Sequence, residues 1–278
     1  MSSAALLGEA SAPPGLATAA LRRLAGISAI AGNTVREAVR SRLLYTLLGF
    51  GILLICAGVL LSSLSYVETD RILQDVGFAA MRFFGVAIAL FVGVGLIHKE
   101  VERRTIYTIL SKPLSRAEFL LGKFWGLALT VWMQLGIMAA AFAAVSWASG
   151  APLGRAHAAA CLLLAVELVV VVAIATFFSA FTTPMLSSLF AGGLWLVGNL
   201  TRDLREIGSG SELPVVRHVT VWLHRLLPDL ASFNLSLEAA HGLPITALDV
   251  WLPVLYGAAY VAVVLVLAVA IFERRDFR

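Results

Sequence analysis

Charge is scarce in this chain. Asp, Glu, Lys and Arg make up 14 % of its 278 residues, 60 % are hydrophobic, and the mean hydropathy is +0.90. Soluble domains run nearer one-quarter charged and one-half apolar. A soluble globular enzyme is therefore close to excluded, and disorder is excluded by the apolar content. Cysteine is nearly absent. Cys56 and Cys161 both lie inside apolar runs and form no Cys-x-x-Cys pattern, so neither a disulfide framework nor a thiolate metal site is expected. Strict alternation of apolar and polar residues is also missing, which argues against a β-barrel. No basic segment followed by an apolar stretch and a cleavage site opens the chain. Residues 1–16, with Pro13-Pro14-Gly15, read as a flexible tail rather than a signal peptide.

Long unbroken apolar runs are what the chain does have. A bilayer core needs about 20 apolar residues per helix. Six runs qualify, at about 43–64, 78–97, 124–147, 158–180, 185–200 and 250–272. The expected fold is an all-α polytopic membrane protein in which residues 17–278 form a single six-span domain. The fifth run is the shortest and follows Pro184, a residue suited to the first position of a helix.

The basic residues orient these runs. With the N-terminus inside, fourteen Lys and Arg fall on the inner side and six on the outer side, while Arg82 lies within a span. This positive-inside bias predicts a bacterial-type cytoplasmic membrane protein with both termini cytoplasmic. It also explains the basic pI of about 9.4 without nucleic acid as a partner.

Between the spans, three stretches stand out. Residues 21–42 read as an amphipathic interfacial helix, with Asn33, Arg36, Glu37 and Arg40 on one face and Val35, Ala38 and Val39 on another; its arginines would meet anionic lipid headgroups. The inner loop 98–123 carries Ile106, Ile109 and Leu110 as an apolar stripe, a break at Lys112-Pro113, and a capping box at Ser115 and Glu118 that starts the next helix. An apolar stripe on a cytoplasmic segment implies a partner protein. The outer segment 201–249 reads as two short helices, one within 215–227 and one within 232–240, capping the outer end of the bundle.

These stretches carry a resemblance. Glu100, Arg104-Thr105, Ser111-Lys112-Pro113, Ser115-Arg116 and Gly122-Lys123, with "LPDLASFNL" at 227–235 and "FERRDF" at 272–277, resemble the type-2 ABC transporter permease family. More narrowly, they are similar to the branch that includes the copper-maturation permease of nitrous oxide reductase. The resemblance implies a transport subunit, an exporter by direction, driven by a separate ATP-binding cassette subunit. It also implies a second permease copy, identical or paralogous. The N-terminal helix would lie on the membrane and loop 98–123 would be the coupling helix. The segment before the last span would fold back as short external helices. Glu100, Arg103, Arg104, Ile106 and Ile109 are the expected contacts with the ATPase, and the turn Lys112, Pro113 to Arg116 would set their angle. The outer loop between the first two spans is short, so no large external capture domain is expected.

No catalytic site, cofactor site or metal site is expected on this chain. Gly122-Lys123 is followed by Phe124 and lacks the upstream glycine of a P-loop, so ATP and magnesium belong to the partner ATPase. None of the five histidines falls mid-membrane. His218 and His224 could bind a metal outside, but their spacing fits no common ligand pattern, and polar residues on an interfacial helix is the better reading. Two other readings stay open. The chain could pass force from the ATPase to a periplasmic maturation partner, or act as an ion-coupled carrier; carriers usually show internal repeats, and none is visible. Within the spans, only Arg82 and Glu167 ionise. They would sit roughly 6 Å and 13 Å from the outer ends at 1.5 Å per residue. A charge there needs a partner or a polar cavity, so Glu167 is expected to face the bundle interior, and direct pairing with Arg82 is open. Finally, Ser188, Gly192, Gly193 and Gly198 would let helices approach closely, either between subunits or within one.

Overall fold

A computed structural model describes residues 16–63, 69–102, 115–151, 153–201 and 227–274. All regular structure among them is helical. In chain order the helices are α1 (Leu16–Val39), α2 (Arg42–Ser62), α3 (Thr69–Glu102), α4 (Arg116–Ala148), α5 (Arg155–Ser179), α6 (Pro184–Asn199), a 3-10 turn (Ala231–Phe233), α7 (Ser236–Ala240) and α8 (Ala247–Arg274).

Five of these helices, α2, α3, α4, α5 and α8, are long and apolar enough to cross a membrane. The expected fifth span corresponds to α6, which has 16 residues. At 1.5 Å per residue it reaches about 24 Å, short of a core about 30 Å thick. Helix α3 differs from expectation in the other direction. It begins at Thr69 rather than near residue 78 and runs for 34 residues, about 51 Å. The polar stretch before Phe78 continues the helix because Asp70 sits in its first turn, where a carboxylate complements the helix dipole. Arg82 is thus thirteen residues from the helix start.

Local signals set the helix ends. Ser115 Oγ accepts from the Glu118 N–H at 3.2 Å, and the Ser115 N–H donates to Glu118 Oε2 at 3.0 Å, so the capping box starts α4. At its other end Gly150 takes a φ of +78°. Ala151 N–H donates to Ser146 O, and Gly150 N–H to Trp147 O, which is the Schellman arrangement that a left-handed glycine permits. In place of the single short run expected at 232–240, the 3-10 turn and α7 are separate pieces. The expected helix within 215–227 lies outside the described residues.

Helix α5 is the hub of the bundle. It packs on α3, α4, α6, α7, the 3-10 turn and α8. Its apolar window is 61 % buried, against 28 % for α2 and 22 % for α8, which keep most of their side chains for lipid. The core that results runs through Met81, Ile88, Leu127, Met138, Leu163, Leu168 and Phe233.

Helix α1 lies along α4. Its Ala31, Thr34 and Ala38 are buried, while Asn33, Arg36 and Arg40 are exposed. The close approach rests on two glycines one helical turn apart. A Cβ at Gly122 would stand 2.7 Å from Ile30 Cβ, and one at Gly126 would stand 2.8 Å from the Ala31 carbonyl oxygen. Beside this seam Lys123, 1 % exposed, faces Glu37 with Nζ 3.9 Å from Oε2, and Arg23 reaches Glu118 at 3.5 Å.

Candidate functional site

Charged residues inside a membrane bundle are costly and mark function by default. Arg82 on α3 and Glu167 on α5 meet directly. Arg82 Nε and Nη2 donate to the same oxygen, Glu167 Oε1, at 3.1 and 2.9 Å. A third helix completes the knot. The indole Nε1 of Trp195 on α6 donates to Glu167 Oε1 at 2.9 Å. One turn on, Asn199 Oδ1 accepts from Arg82 Nη2, and its Nδ2 donates to the Trp195 carbonyl at 2.9 Å, which fixes the amide's orientation. Glu167 is fully buried, and its second oxygen, Oε2, has no hydrogen-bond partner among the described residues.

A cavity of about 320 Å³ opens beside the knot. Arg82, Glu167, Trp195, Phe78 and Phe83 line it, and Asp75 stands on its lining toward the start of α3. Residues 233–236 join the lining. That segment is stitched down. Leu230 N–H donates to the Gly198 carbonyl at 3.1 Å, Thr201 Oγ1 donates to Asp229 Oδ1 at 3.0 Å, and the Asp229 N–H donates to Tyr256 Oη at 3.0 Å. Leu230 and Phe233 are buried. Glycine permits both contacts: a Cβ on Gly198 would collide with Leu230, and one on Gly257 with Val166 and Phe233. The stretch at 227–235 that stood out in the sequence is therefore an anchored plug rather than a free loop.

The expected ATPase-contact residues fare differently. Arg103, Arg104, Ile106, Ile109, Lys112 and Pro113 lie outside the described residues. Glu100 belongs to the last turns of α3, and its side chain is likewise not described. Arg116, first residue of α4, donates from Nη1 to the Glu273 carbonyl on α8 at 3.3 Å, which ties the start of α4 to the last helix. His218 and His224 also fall outside the described residues. His241 is exposed, with Nδ1 3.0 Å from the Leu237 carbonyl oxygen. Among the described residues no group of three His, Cys, Asp or Glu is arranged to hold a metal ion.

Sequence reasoning missed Trp195, Asn199 and Asp75. The i, i+4 spacing of Trp195 and Asn199 puts them on one face of α6, but nothing in the sequence connects that face to Glu167. The small residues of α6 divide. Gly198 serves contacts within the chain, Gly192 would meet Leu90 within 3.3 Å, and Gly193 faces open space. Leu186, Leu189, Gly193, Leu196 and Leu200 form an exposed stripe with alternating spacings of three and four.

Residues 28–277 match the family model described as "ABC-2 family transporter protein". Comparison with curated proteins returned no match.

Proposed function

Because the chain belongs to the ABC-2 family of transporter proteins and is thereby a multi-pass membrane permease subunit of an ABC transporter, we propose that it works as an exporter subunit driven by a separate cassette ATPase seated on residues 98–123. The observation that carries this reading is the continuity of α3. One helix of 34 residues holds Arg82 of the knot and runs on to Glu102, inside the segment whose far end is pinned by the Ser115/Glu118 box. A displacement applied to that segment is delivered along α3 to the cavity wall without an intervening hinge. ATP and magnesium bind on the partner chain, since this one lacks a P-loop.

The finer topology follows from charge. Counting α6 as the fifth of six crossings keeps Arg274, Arg275 and Arg278 on the same inner side as Arg36 and Arg40, in a bacterial-type inner membrane. A short span is accommodated by local thinning of the bilayer or by association with another helix. The exposed stripe through Gly193 is the surface assigned here to the second permease copy, because small and Leu residues at this spacing favour close helix pairing. The narrower kinship with copper-enzyme maturation permeases rests on the loop and terminal motifs alone.

The test is assembly with the ATPase. Arg104→Glu should weaken co-purification of the cassette subunit or uncouple its ATP hydrolysis, while leaving membrane insertion unchanged. Normal binding and normal coupling in the triple variant Glu100→Arg/Arg104→Glu/Ile106→Asp would remove 98–123 from the mechanism.

A further inference from the structure

The cavity beside the knot has a chemistry that points to one kind of ligand. Glu167 Oε1 is saturated by three donors, two from Arg82 and one from Trp195. Arg82 therefore grips the carboxylate through a single oxygen instead of spanning both, the arrangement that would satisfy the whole group. Oε2 is left buried with no donor among the described residues, a position that costs free energy until something donates to it. The charges are unbalanced in the same direction. The lining holds two carboxylates, Asp75 and Glu167, against one guanidinium, and that guanidinium is already engaged by Glu167 and Asn199. Asp75 forms no ion pair with any described residue. The walls are aromatic. Phe78, Phe83, Trp195 and Phe233 are among the lining residues, and aromatic rings attract a cation electrostatically. The volume of about 320 Å³ suits a small organic molecule.

We propose that this cavity binds a small cationic amphiphile, a protonated primary amine on an aromatic or alkyl body, whose ammonium draws the buried Oε2 of Glu167 round to the lining and donates to it while its apolar part lies among the aromatic side chains. Among the described lining residues an anion would meet two carboxylates and no free cation. A neutral alcohol would satisfy Oε2 but leave the charge imbalance. A quaternary ammonium would supply charge but no N–H. This deepens the permease reading and rests on it for the ligand's role as cargo; the binding itself requires only this chain.

The experiment uses the full chain in lipid nanodiscs without ATPase or nucleotide, with tritiated 4-phenylbutylamine as probe. The expected result is one saturable site per chain. 4-Phenylbutanol should compete about 10- to 100-fold more weakly, the range of a charge-assisted hydrogen bond, and 4-phenylbutyrate should not compete. Ala79→Trp places an indole in the cavity from an exposed position on α3, leaves Arg82 and Glu167 themselves unsubstituted, and should abolish saturable binding. Asp75→Asn should weaken the amine and leave the alcohol unchanged. Glu167→Gln should remove the preference for amine over alcohol; should that variant fail to fold, the Ala79 and Asp75 variants decide. Saturable binding no greater than in Ala79→Trp, meaning a cavity that holds water only, would overturn the proposal. So would an alcohol or carboxylate that competes as well as the amine. A chain that binds the amine but recruits no ATPase refutes the coupling reading alone. One that recruits the ATPase without binding the amine refutes this one alone.

Discussion

Two regions of this molecule bury charge against a long helix, and they do so by opposite means. At the knot the carboxylate of Glu167 is fully buried, and donors from α3 and α6 stand within 3.1 Å of one oxygen. In the seam between α1 and α4, the ammonium of Lys123 is buried, but its carboxylate partner Glu37 is partly exposed and stands 3.9 Å away. The seam depends instead on missing side chains. Gly122 and Gly126 let α1 settle until its backbone nearly touches α4. The knot is a device of charge and the seam a device of volume. The two should fail under different substitutions, and the expected effects can be ranked.

The largest effect is expected at Arg82. Arg82→Ala leaves Glu167 buried and uncompensated, and removing one partner of a buried pair costs about 3–5 kcal/mol. Thermal unfolding in nanodiscs should show this loss. The double variant Arg82→Met/Glu167→Met should recover most of it, because apolar residues of similar volume often replace a buried pair without penalty. A double variant no more stable than Arg82→Ala would show that the knot is not held by charge.

A smaller loss is expected from volume at the seam. Gly126→Leu would drive a side chain into Thr34 and the Ala31 carbonyl, and overpacking costs about 1–3 kcal/mol. Limited proteolysis should then cut within α1 while the rest of the chain stays protected. The charge-conserving change Glu37→Asp at the same seam should leave the protease pattern as it is. If Glu37→Asp released α1 and Gly126→Leu did not, the contrast between the two regions would be lost.

At the start of α4, Ser115→Ala removes the side-chain acceptor for the Glu118 N–H, at about 1 kcal/mol for a lost N-cap. Hydrogen exchange at the first turn of α4 should rise while the knot is unaffected. Arg23→Ala should do least. Arg23 is 76 % exposed, and exposed ion pairs contribute about 0–1 kcal/mol. Unfolding curves of this variant and the parent should nearly superimpose, and raising salt should not separate them.

How much of this was legible beforehand differs by feature. The apolar runs, the capping box at Ser115 and the amphipathic α1 were readable because each is local. Partition between lipid and water depends on the composition of about 20 consecutive residues. A cap depends on residues three apart, and amphipathicity on a period of 3.6. The length of α3 was underestimated because polar residues at a helix start still favour helix while lowering hydropathy. That Arg82 and Glu167 carry an unusual cost was also plain, since any charge in an apolar run does.

What tertiary structure alone decided is which faces meet. Glu167 lies 85 residues from Arg82 and 28 from Trp195, and no local pattern connects them. Gly122 stood out only as part of a motif and Gly126 not at all, and their use as a notch for α1 depends on where α1 lies. In water a helix announces its buried face by polarity. In a bilayer the lipid tails are as apolar as leucine, so hydrophobicity marks neither the face nor the neighbour. Packing and hydrogen bonding choose both, and for this chain they enclosed a carboxylate with one oxygen satisfied and the other buried without a donor among the described residues.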